Sequence, residues 1–241
     1  MNKISVFFSF LAFGLMAGPK PAAAAHDPKG KVPPVEMVQA RLWQNMRLQD
    51  FALQGFIRTG KKLYPITLRT KDRTMVYEFK DQPLQLRVTL SPEQTVVEKR
   101  RASADEWKAV ALGEKTQKIL DTDITYEDLS LDFFRWNEVT PLGTDNIKTL
   151  PAWLFEAKPY GKSNYTKVRY WISSEYFAFL RIDAYNAKDQ VIKRLEINGV
   201  AEIGPAVVLK EMQISTLIPG RDISSSRTYV EVRDGRPGSG L

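Results

Sequence analysis

Five carboxylates crowd one short stretch of the chain: Asp121, Asp123, Glu127, Asp128 and Asp132. Such a group offers two chemistries, a general acid/base pair or a calcium site. Asp121-x-Asp123-x-Thr125 follows the opening of a calcium loop, but Tyr126 stands where that loop requires glycine and Asp132 where it closes with a bidentate Glu. Hydrolysis of a glycoside could run on two carboxylates alone, and an enzyme here would have to use carboxylates, hydroxyls or lysine alone. The 241 residues include no cysteine and a single histidine, His26. Disulfides, thiol catalysis, iron–sulfur clusters, cysteine-ligated zinc and any intrachain site that needs two histidines are therefore excluded. The expectation is a protein that is not an enzyme, with no catalytic residue, no metal and no cofactor. A chain so poor in reactive groups is expected to work by shape and burial.

Export is expected from the start of the sequence. Lys3 precedes an apolar run from Ile4 to Met16, and Ala23-Ala24-Ala25 supplies small residues for cleavage before His26 or one position earlier. The run is shorter than the ~20 residues a membrane span needs. Residues 1–25 thus read as a signal peptide. With no cysteine to carry a lipid, the mature protein is expected to be periplasmic, soluble and not lipid-anchored. Removing Lys3 and Lys20 lowers the net charge from +7 to +5.

Residues 26–34 are polar and rich in proline, a flexible leader. Pro34 then suits the first turn of a helix over 35–47, where Val35, Val38, Leu42 and Met46 recur at spacings of three and four. After it the period becomes two. Leu84, Leu86, Val88 and Leu90 alternate with polar residues, and similar runs fall at 51–59, 64–70, 74–80 and 94–101. A second series covers 150–158, 165–173, 176–186, 190–198, 206–218 and 227–233, with a hairpin turn at Ala187-Lys188-Asp189-Gln190. The carboxylate group lies between the two series. Thr125 and Asp128 form a capping box, and Tyr126, Leu129, Phe133 and Trp136 then share one stripe of a helix over 125–137. The fold class is mainly β (α+β). About eleven antiparallel strands in one curved sheet form a half-open barrel capped by short helices. One domain spans 35–233, and 234–241 is a flexible tail.

The run Asp121-Thr-Asp-Ile-Thr-Tyr-Glu-Asp-Leu129 resembles the signature of outer-membrane lipoprotein-sorting proteins, the LolA-like superfamily. Asp121 replaces a usual Gly and Ile124 a usual Phe. Later patches are similar as well: Trp153-Leu154-Phe155, Lys158-Pro159, Tyr165, Val168 to Ile172, Arg181 to Tyr185, Asp189 to Lys193, and Thr216-Leu-Ile. The likeness covers 105–230. It maps the signature onto Thr122, Asp123, Tyr126, Glu127, Asp128 and Leu129. It implies a half-open barrel that carries acyl chains of lipids or lipoproteins across the periplasm as a chaperone for outer-membrane sorting. The same superfamily shape also implies an alternative, a periplasmic sensor or adaptor whose bound lipid or lipoprotein regulates a membrane-protein partner.

Alternation nominates Leu84, Leu86, Val88, Trp153, Phe155, Tyr170, Ile172, Phe177 and Phe179 as cavity lining. The stripe Tyr126, Leu129, Phe133 and Trp136 is the candidate lid helix. Both sets equally suit a packed core, which helical spacing alone favours for the stripe. Lys61-Lys62, Lys71, Arg73 and Lys99-Arg100-Arg101 suit transient contact with anionic lipid surfaces, or solubility at strand edges. The expected partners are acyl chains and a donor or acceptor protein in the inner or outer membrane. Nucleic acid is not expected, and the protein is read as a monomer.

Overall fold

The computed structural model describes residues 5–8, 15–17, 32–45, 48–136, 138–159, 163–203, 206–238 and 240–241. Most of the expected signal peptide, His26, the leader up to residue 31 and Met46 lie outside them. Ser5–Phe8 (β1) and Leu15–Ala17 (β2) pair with each other, and β1 runs parallel to Ala206 and Val207. Helix α1 (Val35–Asn45) starts after Pro34, whose carbonyl accepts the amides of Met37 and Val38. Its buried face is Val38 and Leu42.

Two meanders follow. The first is β3 (Leu48–Thr59), β4 (Lys62–Asp72), β5 (Thr74–Phe79), β6 (Leu84–Leu90), β7 (Thr95–Arg100) and the short β8 (Lys108–Ala109). The second is β9 (Glu138–Ile147), β10 (Leu150–Lys158), β11 (Lys167–Ser173), β12 (Phe179–Tyr185), β13 (Val191–Ile203), β14 (Ala206–Leu217) and β15 (Ser224–Pro237). Between them stand a 3₁₀ turn at Leu112–Glu114, helix α2 (Tyr126–Ser130) and a 3₁₀ turn at Asp132–Arg135.

Each meander pairs neighbour with neighbour, and one long-range pair, β15 against β3, joins them. The order is β8-β7-β6-β5-β4-β3-β15-β14-β13-β12-β11-β10-β9, antiparallel throughout. Since β8 and β9 stand at opposite ends, the curved sheet is open. At the junction, Gly55 of β3 runs so close to β15 that a Cβ there would sit 2.0 Å from the Glu231 carbonyl oxygen. Glycine is the residue that permits this crossing.

Alternation sends one side of nearly every strand into a single core. In β5, Met75, Tyr77 and Phe79 are buried while Thr74, Val76 and Glu78 are half-exposed. The opposite face has its own small cluster, Ala152, Trp171 and Leu180, roofed by Ile147, Leu150 and Leu154. That second cluster explains why β12 is buried on both sides.

Four expectations need adjustment. The path holds thirteen strands rather than eleven, because β8 and β9 had no alternation to mark them. Helix 125–137 stops at Ser130: Leu131 turns left-handed at φ 49°, and the chain continues as a 3₁₀ turn into extended Trp136. The run 176–186 begins as a turn, with Phe177 at φ 51°, and becomes a strand only at Phe179. The expected tail starts inside β15, where Asp234 to Pro237 pair with Gln54 to Phe51 of β3. The turn at 187–190 is present, with Asp189 left-handed and the Asn186 side-chain oxygen accepting the amides of Lys188 and Gln190.

Candidate functional site

The acidic stretch is a set of anchors. Thr122 and Asp123 are fully buried. The Thr122 hydroxyl donates to the Ile119 carbonyl and accepts the Ile124 amide, which locks the turn on itself. Asp123 accepts from three hydroxyls of the sheet, Thr216 (2.6 Å), Ser226 and Thr228 (3.0 Å), while its own amide donates to Thr228 Oγ1. A carboxylate with that many donors is held in place against β14 and β15.

Helix α2 then begins as its residue types dictate. Thr125 Oγ1 accepts the Asp128 amide, and Asp128 Oδ2 accepts the Thr125 amide at 2.7 Å. Asp128 does more than cap. Lys193 of β13 reaches the same oxygen at 2.6 Å, and the Tyr165 hydroxyl donates to Oδ1 at 2.8 Å. All three side chains are buried. Burial and the Asp128 charge hold the Tyr165 phenol far above its ordinary range, so it stays a donor.

Outside this knot, Asp121 pairs with Lys62 and accepts from the Tyr64 hydroxyl, and Asp132 meets Arg135 at 2.8 Å. The five carboxylates thus point to five separate sets of partners. Among the described residues no three acidic or histidine side chains converge as metal ligands.

These anchors seat the middle segment against the first meander. Ile119, Ile124 and Leu129 pack on Ile57, Tyr77, Phe79 and Leu86, leaving a gap of about 10 Å³. That half of the sheet is plugged. The second meander is not. A cavity of about 470 Å³ opens between it and the 127–136 segment. Its apolar wall is Leu131, Phe133 and Trp136 from the segment and Val168, Ile182, Ala184 and Leu195 from β11, β12 and β13. Its rim carries Lys115, Glu127, Asp132, Arg135 and Ser163, with the exposed Leu112 at the edge.

Side-chain size decides where the sheet is filled and where it is hollow. Tyr170 stacks on Phe155 with ring centroids 5.5 Å apart, and Phe179 and Phe133 close the cluster at 5.7 and 5.6 Å. One step along the same strands the pairs are Val168 with Ala184 and Ile182 with Leu195. These smaller groups leave the space.

The sequence-nominated residues are distributed accordingly. Phe133 and Trp136 of the stripe line the cavity, Leu129 faces the plugged half, and Tyr126 is buried beside Lys99. Phe155, Tyr170, Ile172 and Phe179 form the packed floor, Leu86 and Val88 lie in the core under the plug, and Leu84 is half-buried at its margin. Trp153 and Phe177 face each other at 5.1 Å. None of these nine residues contributes to the wall of the 470 Å³ cavity. Val168, which does, continues the alternation of Tyr170, and Ile182, Ala184 and Leu195 share its face, although a register shift separates Ile182 from Phe179. The signal for them was their smaller size on the same stripe.

Polar neighbours set the chemistry of the rim. Arg135 donates to the Ser91 carbonyl, the Thr95 hydroxyl and Asp132. Glu127 accepts from the Ser163 hydroxyl and the Asn164 amide, and burial pushes its carboxyl above the usual glutamate value despite them.

Comparison with known proteins places this geometry. A family model described as an uncharacterized protein family matches residues 102–239, more than half of the chain. The chain belongs to that family. Curated protein sequences give no match. Among solved structures, one similar to this family member is a domain described as an outer membrane lipoprotein-sorting protein, from Vibrio parahaemolyticus. It has a TM-score of 0.70 and 15% identity over 86% of this chain and 95% of that one. A DUF1329 family protein from Desulfovibrio piger has a TM-score of 0.66 and 18% identity over 87% and 95%. A LolA superfamily protein from Nitrosomonas europaea has a TM-score of 0.59 and 12% identity over 86% and 94%. At such identities the likeness establishes the fold, and the fold of this family member is LolA-like.

Proposed function

We propose that this protein is a periplasmic lipid carrier that holds an acyl chain in the cavity between 127–136 and strands β11–β13, for transfer towards the outer membrane. The observation that carries the reading is the cavity itself, lined by Leu131, Phe133, Trp136, Val168, Ile182, Ala184 and Leu195, with charged and hydroxyl groups among them. Its 470 Å³ lies within the range of about 300–1,000 Å³ typical of small-molecule sites. Each methylene moved from water into such a space gains about 0.8 kcal/mol, so retention needs no chemistry. The fold shared with a lipoprotein-sorting domain supports the same reading. Among the described residues no helix is long and apolar enough to cross a membrane, which accords with a chain that visits membranes at their surface.

The test is native purification followed by mass spectrometry of the organic extract. Wild-type protein is expected to yield stoichiometric lipid, and Ala184→Trp, which fills the hollow side of β12, is expected to yield little while remaining folded by circular dichroism. No lipid from the wild-type protein after repeated mild extraction would defeat the proposal. A stable complex with a membrane-protein ectodomain, formed only with lipid bound, would instead favour the sensor reading.

A further inference from the structure

We propose that Glu127 reads the head of the bound molecule, and that the cavity takes single-chain amphiphiles whose head donates hydrogen bonds, an ammonium or a hydroxyl, in preference to an anionic head. This deepens the carrier reading and rests on it.

Most charges around the cavity are already matched. Asp128 is enclosed by Lys193, Tyr165 and Thr125. Asp132 lies against Arg135 at 2.8 Å and faces Lys115 at 3.7 Å. Arg135 is further occupied by Ser91 and Thr95. Among the described residues, both lining cations, Lys115 and Arg135, therefore already answer to Asp132.

Two lining carboxylates have no ion pair among the described residues: Glu93, which is exposed to water and accepts from the Ser91 hydroxyl, and Glu127, which is partly buried. Glu127 sits on the wall of the cavity, and among the described residues no Lys or Arg forms an ion pair with it. Its two donors, the Ser163 hydroxyl and the Asn164 amide, take one position on each oxygen. A carboxylate has about four acceptor positions, so about two remain. Burial foremost, and the neighbouring Asp128, work against its charge; the two hydrogen bonds and the Lys193 charge offset only part of this, and its carboxyl stays raised. A donor arriving with the ligand relieves that cost. A carboxylate or phosphate placed there sets a second negative charge against Glu127, while Asp128 and Asp132 are already paired. The apolar wall is indifferent to the head, so Glu127 supplies the discrimination.

Three probes with the same chain isolate this effect: dodecylamine, dodecanol and dodecanoate, each competing with the neutral dye phenylnaphthylamine at neutral pH. Wild-type protein is expected to bind the amine and the alcohol about tenfold more tightly than the acid, the scale of a hydrogen bond to a charged group. In Glu127→Gln the amine is expected to lose about tenfold and the acid to gain, closing the gap. Dodecanoate binding to wild-type protein as tightly as dodecylamine would overturn the proposal while leaving the carrier reading intact. So would a preference that survives in both Glu127→Gln and Glu127→Ala. Failure of the dye and all three probes to bind would overturn the carrier reading and this proposal together.

Discussion

Lys193 Nζ of β13 lies 2.6 Å from Asp128 Oδ2 of α2, and neither side chain is more than 8% exposed. This pair fastens the middle segment to the second meander, as the three hydroxyls around Asp123 fasten it to β14 and β15. The cavity lies beside that fastening. Its shape therefore depends on a buried charge pair that the sheet alone would not need.

Removing the cation should be costly, because a buried carboxylate then loses its counter-charge. Lys193→Met is expected to lower the unfolding free energy by about 3 kcal/mol. The double variant with Asp128→Leu should recover part of that loss, since the stranded charge is gone. Urea unfolding followed by tryptophan fluorescence measures both. An unchanged midpoint in Lys193→Met would contradict the role given to the pair.

At the junction of the two meanders, the substitution of interest is Gly55→Ala. The added Cβ would meet the Glu231 carbonyl at 2.0 Å, and backbone cannot swing aside as a side-chain tip can. Overpacking of this kind costs about 1–3 kcal/mol. The expected result is a loss at the upper end, with hydrogen exchange accelerated first in β3 and β15. Gly113, which has open space around its Cβ position, is the control: Gly113→Ala should be nearly neutral.

Glu127 also predicts a pH dependence. Burial holds its folded carboxyl above the ordinary value of 4.5. The native state then binds this proton more tightly than the unfolded chain does. Its contribution to stability is complete below pH 4.5 and fades as pH rises through the raised folded value. Glu114, Asp121, Glu156 and Asp189 are shifted the other way by their lysine and arginine partners, so the whole protein need not follow this trend. The difference between Glu127→Gln and wild type isolates it. The variant's relative stability should grow from pH 4 towards pH 7, and a difference constant over that range would rule the assignment out.

Much of the architecture was visible as alternation. Leu84, Leu86, Val88 and Leu90 mark β6 without ambiguity, and the Thr125–Asp128 capping box marks the start of α2 to the residue. Strand β9 was invisible because it is an edge strand with little buried on either face, interrupted by Pro141 and Gly143. The end of α2 was invisible too, since nothing in Leu131 announces a left-handed turn. The site was harder for a different reason. Large aromatics draw attention as ligand contacts, but Phe155, Tyr170 and Phe179 meet one another and fill their own space. The hollow lies where Val168 and Ala184 face each other across strands, which becomes visible only once the register is known.

The order of the strands has a consequence for how the molecule comes into being. Strand β15, the last of the chain, is the strand that β3, β4 and all their neighbours are joined through. Each meander can form from its own local hairpins. Until residues 224–237 arrive, though, β3 and β14 each display a raw edge. A chain cut short before that point would present two adhesive borders in place of one continuous sheet. One fourteen-residue strand thus buries two exposed edges at once, and the seam between the meanders closes in a single step.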